Sequence, residues 1–442
     1  MDQVIIVGGG IAGLTAAYRL ERAGVPYTVI FDQLGGRIHT EEVDNAPQDM
    51  GAEYFLDHDS SLLDLINILD IEIEPYISNR AIYDLNSGKS MQMPNSADSF
   101  INSIRKQFTT IRYLGISNLS AAKKLSSHLD GWIAEIEMLY QKLDQATIDD
   151  VFGPSKEIIT PYADYTLLDY LTIQLGMSEE FVMKMIDPLF RAIYMLGSDE
   201  LTAVIGVLGF AAKNSNIYHV KGGNKVIINR LYQYIQANAQ KERVTSIKRV
   251  SEGAYKVLLS NGSEISGSSI FLATPLQSIK FIELIGFEPF QERIDQLLHI
   301  PYNPNVHHHL IQGIPNSKIG NIFDSGADTV FIANPDMICE INQVDADYFD
   351  VTSTRKYEDT DFTRYFDQYT SIRSIHWSPA YPLYNPTTMD NFPNTPKLAP
   401  GLYMGTDNIL TTMGTSVLIA NLISEELITM YSKDKELATI DI

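Results

Sequence analysis

The chain has 442 residues, more than one compact core usually serves, so two domains are expected. A formal net charge of -22 repels phosphate backbones and anionic lipid, which argues against nucleic acid as a partner. The single cysteine, Cys339, excludes an intrachain disulfide and a cysteine-based metal site.

The start of the sequence lacks the basic residues and cleavage region of a secretory signal. The longest apolar run, Ala203 to Ala212, is shorter than the roughly 20 residues that span a bilayer. We therefore expect no transmembrane segment, and a cytoplasmic protein that acts on a small molecule. The oligomeric state is left open.

The first elements form a strand–helix–strand unit. Gln3 to Val7 is an apolar run that predicts a buried strand, and Ile11 to Ala23 has the apolar period of a helix that Gly24 ends. Tyr27 to Phe31 predicts the second strand. Together they predict the start of a doubly wound α/β sheet of the Rossmann type.

Three glycines between the first strand and the helix form the pattern G-x-G-x-x-G. Gly8 would make the tight turn, Gly10 would let the backbone touch a pyrophosphate, and Gly13 would let the helix lie close to the sheet. An acid at the end of the second strand would accept hydrogen bonds from a ribose. Phe31 occupies the expected place, so we assign this role to Asp32, which follows it.

The middle of the chain predicts mostly helices. A helix is expected from Asp57 to Ile71, then a hairpin from Asn79 to Met93 with an N-S-G turn. Residues 95–214 have mainly helical patterns, for example Ser120 to Leu143 and Leu167 to Leu189. We expect this insertion to form a separate layer over the site.

Strand patterns return in the last part of the chain. Glu242 to Ile270 predicts strands, with a hairpin turn at Asn261-Gly262. Residues 287–384 mix strands and loops. Leu402 to Gly405 predicts a short strand that leads into a helix over Val417 to Tyr431.

A second glycine motif, Leu34-Gly35-Gly36-Arg37, follows the second strand, and an acidic D-M-G-A-E-Y segment covers residues 49–54. With the first motif, VIIVGGGIAGLTAAYRLERAG, these segments make the chain resemble the flavin-containing amine oxidase superfamily, which includes protoporphyrinogen oxidases and phytoene desaturase-like enzymes. The resemblance implies that Arg37 contacts the pyrophosphate side of a flavin and that the 49–54 segment lies along the flavin. A nicotinamide enzyme has no need of the second motif, so FAD is favoured over NAD.

Weaker motifs extend the resemblance over most of the chain. Val244 stands where the family binds adenine through backbone groups, and Gly401 to Asp407 resembles the closing flavin motif. Cys339 does not lie in the family's flavin-attachment context, so a non-covalent FAD is expected. The expected cofactor-binding residues are Gly8, Gly10, Gly13, Asp32, Gly35, Gly36, Arg37, Gly51, Ala52, Glu53, Val244, Gly405, Asp407, Gly414 and Thr415.

The chain departs from the amine oxidases where the reaction takes place. Those enzymes typically place a lysine near flavin N5, and the matching position falls at His307. They also frame the flavin with two aromatic residues, and Thr415 stands at one of these positions. Trp377 lies in a W-x-x-A-x-P element similar to that of the protoporphyrinogen oxidase branch. His307, Trp377 and Tyr384 are therefore the candidate catalytic residues, and no metal site is expected, because two histidines on one strand face rarely suffice.

These patterns predict two interleaved domains. Residues 1–75, 215–285 and 385–442 would build the FAD-binding domain, and residues 76–214 and 286–384 the mixed α+β substrate domain with its helical insertion. The predicted activity is hydride transfer from an amine-type or conjugated C–H of a small molecule to flavin N5. A desaturase or redox-neutral isomerase, and a flavin-binding protein without turnover, remain alternatives.

Overall fold

The computed structural model describes residues 3–43, 46–93, 109–115, 118–211, 215–356, 358, 361–383, 393–405 and 412–440. Its central feature is a six-stranded sheet that confirms the predicted Rossmann-type unit. All neighbours in this sheet are parallel except the last pair. In spatial order its strands are Ala239–Lys241, Tyr27–Gly35, Val4–Gly10, Ser269–Leu272, Leu402–Met404 and Lys397–Ala399.

The strand–helix–strand unit follows the predicted bounds closely. The helix covers Ile11–Ala23, and Gly24 ends it with a φ of 66°, a left-handed conformation that favours glycine. Helices Lys225–Ile235 and Met413–Ile440 pack near it, and the latter is longer than predicted. Because parallel strands are covered on both faces, Val4 to Val7 are almost completely buried.

A seven-stranded mixed sheet forms the second layer. In spatial order its strands are Phe366–Trp377, Val306–Pro315, Tyr348–Ser353, Ile338–Asp345, Thr329–Ala333, Arg80–Asp84 and Ser90–Gln92. One face, which we call the outer face, packs with helix Ser317–Asp324 in a core of its own. The opposite, inner face carries Ile82 and Phe331, which belong to the main core of the protein.

The helical insertion is present but is more broken than its pattern predicts. Its helices are Leu119–Asp144, Gly153–Ala163, Asp187–Tyr194 and Ala203–Ala211. The stretch predicted as one helix from Leu167 divides at Gly176, whose φ is 60°, and Ser178 caps a new turn by accepting from Phe181 N. Each half contains a π-helical segment, Tyr170–Gln174 or Val182–Ile186, which periodicity alone does not indicate.

Both predicted hairpins are confirmed. Arg80–Asp84 pairs with Ser90–Gln92, and Ala254–Leu259 pairs with Glu264–Gly267 around a Gly262 with φ of 82°. The second hairpin belongs to a four-stranded sheet completed by Val244–Ser251 and Glu283–Ile285. The remaining strands and helices are Thr40–Val43, Ala46–Asp49, Phe55–Leu56, Ile73–Pro75, Ile217–Val220, Ser60–Ile68, Leu276–Ile279 and Gln291–Leu298.

Candidate active site

The first glycine bend lies where the strand Val4–Gly10 meets its helix. A Cβ on Gly8, whose φ is 127°, would stand 2.3 Å from the Ala273 carbonyl oxygen, and a Cβ on Gly13 would stand 2.1 Å from the Gly8 carbonyl oxygen. These two glycines are required by packing within the protein. A Cβ on Gly10 would meet nothing closer than 4.0 Å, so this position faces open space.

The second glycine bend closes on the first. Gly10 pairs with Gly35 at the end of the second strand, and a Cβ on Gly36 would stand 3.3 Å from the Gly10 Cα. No side chain caps the helix that begins at Ile11, so its first N–H groups point into this junction. Two side-chain-free bends around an uncapped helix N terminus fit a dinucleotide pyrophosphate.

Arg37 and the D-M-G-A-E-Y segment join this junction to the second layer. Arg37 Nη1 donates to the Ala380 carbonyl at 2.8 Å, and Ala52 N donates to the Arg37 carbonyl at 2.9 Å. The Trp377 ring packs beside Gly51, where a Cβ would stand 3.1 Å from Trp377 Cζ2. Trp377 Nε1 donates to the Met50 carbonyl at 2.7 Å. The W-x-x-A-x-P element therefore lies against the predicted flavin-side segment.

A buried asparagine fixes the backbone of the 49–54 segment. The Asn224 side chain, with no exposed surface, donates through Nδ2 to the carbonyls of Ala52 at 2.8 Å and Glu53 at 2.9 Å. Its backbone N–H donates to the carboxylate of Asp49, which Thr40 Oγ1 also reaches at 2.5 Å. Burial raises the pKa of Asp49 to about 6. The sequence analysis did not identify Asn224; its position directly after the Gly222-Gly223 pair was the available signal.

The expected adenosine side contains Phe31, Asp32 and Val244. Phe31, not Asp32, packs against the first bend: a Cβ on Gly9 would stand 2.8 Å from the Phe31 Cβ. Asp32 is 65% exposed and pairs with Arg243 Nη2 at 2.6 Å. Val244, which follows Arg243, is buried at the start of its strand. The structure therefore brings Asp32 to the residue that precedes the Val244 strand, and Phe31 to the glycine bend.

The closing motif begins at Gly401 and includes the strand Leu402–Met404. This strand pairs with Ser269–Leu272 on the side opposite Val4–Gly10. Gly405 packs under Phe271, where a Cβ would stand 1.9 Å from the ring, and a Cβ on Gly414 would stand 2.0 Å from Asp59 Oδ1. Thr415 is buried. Burial raises the pKa of Asp59 to about 6. Two residues of the prediction, Asp407 and Tyr384, lie outside the described residues.

The three consecutive histidines divide between the two faces of the seven-stranded sheet. His307 and His309 share the outer face, where His307 stacks on His376 at 4.2 Å between ring centroids. Burial and these neighbouring imidazoles lower the pKa of His307 to about 4. His308 alone lies on the inner face, with Nδ1 3.2 Å from Asp350 Oδ2. The predicted residue His307 thus lies on the outer face, and its neighbour His308 lies on the face toward the main core.

The inner face also carries two half-buried acids, Glu53, which was expected at the cofactor site, and Glu340, which no sequence motif indicates. Glu53 accepts a hydrogen bond from Tyr76 Oη at 3.0 Å, and its burial raises its pKa to about 7. Burial, with the nearby charges of Glu53 and Asp350, raises the pKa of Glu340 to about 8. Burial lowers the pKa of His308, but the charge and hydrogen bond of Asp350 together with the charges of Glu53 and Glu340 raise it above its usual value. At neutral pH the ligand-free protein therefore holds Glu340 mostly protonated and Glu53 about half protonated.

Two negative findings apply to the described part of the chain. It contains no group of three or more His, Cys, Asp and Glu side chains placed to hold a metal ion. Nor does any helix within it combine the length and apolar character needed to cross a bilayer.

Comparison with solved structures shows the fold. The chain superposes on putrescine oxidase bound to putrescine with a TM-score of 0.69, at 15% identity, covering 97% of this chain and 99% of that one. It superposes on cyclohexylamine oxidase from Brevibacterium oxydans with a TM-score of 0.66, at 14% identity, covering 96% and 99%. The predicted fold, a Rossmann-type sheet joined to a mixed α+β part as in flavin amine oxidases, is confirmed.

Comparison with known sequences gives the family. "Prenylcysteine oxidase 1-like" of Mus musculus is 23% identical over 426 residues, which cover 86% of this chain and 81% of that protein. "Prenylcysteine oxidase 1" of Rattus norvegicus is 26% identical over 342 residues, covering 72% and 64%. A family model for an NAD(P)-binding Rossmann-like domain matches residues 6–69, and the prenylcysteine lyase family model matches residues 156–437. The chain thus belongs to the prenylcysteine lyase family, and it is an FAD-dependent oxidoreductase, as its motifs predict.

Proposed function

We propose that this protein binds FAD non-covalently and uses it to oxidise the thioether carbon of an S-alkyl cysteine such as a prenylcysteine. The observation that carries the substrate is the family match over residues 156–437, which contribute most of the seven-stranded sheet. The cofactor is supported by the junction of the Gly10 and Gly36 bends at an uncapped helix N terminus.

We further propose the domain division predicted from the sequence, with the reaction between the domains. The segment Gly51 to Glu53 and the ring of Trp377 would lie beside the flavin ring, and Arg37 would contribute to the pyrophosphate site. Roles for His307 and Tyr384, and a cytoplasmic location, stay predictions; the single cysteine is compatible with a reducing compartment.

The chemistry of an S-prenyl cysteine suits this assignment. The carbon that carries the sulfur is allylic, so a cation formed there by hydride loss is stabilised by both the sulfur lone pair and the double bond. Bound FAD supplies the hydride acceptor. Water then adds to the carbon, and the carbon–sulfur bond breaks to release an aldehyde and the cysteine thiol. Hydride, water oxygen and protons balance to one aldehyde and one thiol for each two-electron reduction.

The protein's own contribution to the reaction is orientation. Trp377 is fixed by its bond to the Met50 carbonyl, and Asn224 fixes the Ala52 and Glu53 carbonyls. These bonds would hold the backbone of Gly51 and Ala52 and the ring of Trp377 in fixed positions beside the flavin.

The test is anaerobic mixing of the FAD-loaded protein with S-farnesyl-L-cysteine, putrescine and cyclohexylamine. We expect the absorbance near 450 nm, about where oxidised flavins absorb, to bleach with the thioether alone, and aldehyde and thiol to appear in equal amounts. Bleaching by an amine but not by the thioether would overturn the proposal that an S-alkyl cysteine is the substrate. Admission of oxygen then separates an oxidase, which recovers its colour quickly, from the desaturase alternative.

A further inference from the structure

The inner face of the seven-stranded sheet carries a row of polar groups that the cofactor motifs do not use. His308 and Glu340 both lie opposite Thr352, and Asp350 lies opposite Leu310, two residues along the strand from His308. Because side chains alternate along a strand, these four polar residues project from the same face.

Carboxylates outnumber cations in this row. Glu53 comes onto the face from the segment beside the proposed flavin site, and its charge interacts with those of Asp350 and His308. Glu340 interacts with Glu53, Asp350, His308 and Arg80. The basic residues His308 and Arg80 therefore face three acids, and His308 is already paired with Asp350. Tyr76, which donates to Glu53, adds no charge.

Two buried oxygens in this row have no hydrogen-bond partner among the described residues. Asp350 and Thr352 are each 2% exposed, and neither Asp350 Oδ1 nor Thr352 Oγ1 is bonded. Buried polar atoms are normally paired, because an unpaired one loses its bonds to water and gains none. A carboxylate can only accept hydrogen bonds, so the missing partner of Asp350 Oδ1 is a donor.

We propose that Glu53, Glu340, Asp350 and Thr352 form a subsite for a primary ammonium group of the substrate. This deepens the proposed function, because the α-ammonium of an S-alkyl cysteine is then the group bound. An ammonium offers three N–H donors and one positive charge, which matches the unpaired acceptors and the excess of acids. Binding of the ammonium in this subsite also sets the thioether of the same substrate at a fixed distance from the segment Gly51 to Glu53.

The protonation of the row gives the proposal a measurable consequence. At pH 7 Glu340, with a pKa of about 8, is mostly protonated, and Glu53, with a pKa of about 7, is about half protonated. A bound cation favours their ionised forms, so binding releases about one proton per ligand at this pH. The titratable groups that interact with these two carboxyls are Asp350, Asp49, His308, Arg80, Tyr54 and Tyr76.

The first experiment compares S-farnesyl-L-cysteine with its N-acetyl derivative and its methyl ester. In the wild-type holoenzyme we expect N-acetylation to raise KM at least tenfold and the ester to change it less. Because Glu340→Gln mimics the protonated carboxyl, we expect this variant to keep its fold. The ratio of the KM of the N-acetyl derivative to the KM of the free amine should fall toward one. Glu264→Gln, a change on the exposed 264–267 strand, serves as the control and keeps the wild-type ratio. Equal KM values for amine and amide in the wild type would overturn the subsite.

The second experiment does not depend on turnover. n-Decylamine and n-decanol are titrated into the holoenzyme at pH 7 in two buffers of different ionisation enthalpy. We expect the ammonium to bind at least tenfold more tightly and to release about one proton, and Glu340→Gln to remove much of both effects. Equal affinity of the two probes would refute the subsite even if the thioether is oxidised. Selective binding of the ammonium without thioether oxidation would refute the proposed function and leave the subsite standing.

Discussion

The substitution Gly10→Ala is expected to weaken FAD binding and to leave the fold unchanged. The backbone there has φ of −81° and ψ of −179°, an extended conformation that any residue adopts, and the new Cβ meets nothing within 4.0 Å. The fold is therefore expected to be unchanged. The methyl group occupies the space at the meeting of the two glycine bends, where a pyrophosphate would touch the backbone.

The expected magnitude follows from the contacts that are lost. Each hydrogen bond from a backbone N–H to a charged phosphate contributes about 1.5–3 kcal/mol. Loss of one such bond raises the Kd of FAD about 10- to 100-fold. The assay is quenching of FAD fluorescence by the apoprotein, accompanied by urea unfolding of the apoprotein without FAD.

Two other glycine variants make the comparison specific. Gly13→Ala directs its Cβ to 2.1 Å from the Gly8 carbonyl oxygen, so we expect a loss of apoprotein stability of about 1–3 kcal/mol. Gly131→Ala has open space within helix Leu119–Asp144, so we expect a gain of about 0.5–1 kcal/mol and no change in FAD affinity. Wild-type FAD affinity in Gly10→Ala would refute the assignment of this junction to the pyrophosphate.

Three further predictions concern the structure around the site. Asn224→Ala leaves the carbonyls of Ala52 and Glu53 without their donor, and we expect a loss of about 3 kcal/mol in the free energy of unfolding by urea; a loss under 1 kcal/mol would contradict this role. Trp377→Phe removes the Nε1 bond to the Met50 carbonyl, and a loss of about 1 kcal/mol should lower Tm in a thermal melt, whereas an unchanged Tm would count against that bond. The raised pKa of Glu340 means that the folded state binds a proton which the unfolded state has lost, so stability is present below the usual glutamate pKa of 4.5 and falls as pH rises toward about 8. Glu340→Gln should flatten this fall by at most about 1.4 kcal/mol per pH unit, and an unchanged slope of unfolding free energy against pH would refute it.

Elements whose signals are local could be predicted from the sequence. The helix over Ile11–Ala23 ends at Gly24 because that residue alone takes the left-handed conformation there, and Asn261-Gly262 fixes a hairpin in the same way. The glycine motifs were recognised because close backbone contact requires glycine wherever the rest of the chain lies. The π-helical segment Tyr170–Gln174 gave no such signal.

The polar row of the site could not be predicted because its members are brought together by strand register. Glu53 and Glu340 are separated by almost 300 residues, and although Glu53 lies in the 49–54 motif, Glu340 lies in none. The faces of the three histidines have the same origin, since a shift of one residue along a strand moves a side chain to the opposite face. The pair between Asp32 and Arg243 also joins residues far apart in the sequence, so no local pattern indicates it.

The order of strands in the six-stranded sheet has a consequence for how the protein is made. The strand Val4–Gly10 is synthesised more than 250 residues before its neighbour Ser269–Leu272, and Leu402–Met404, which pairs with that neighbour, is synthesised later still. Contacts this distant along the chain form slowly. During translation the apolar strand therefore keeps one edge unpaired until the ribosome has passed residue 272.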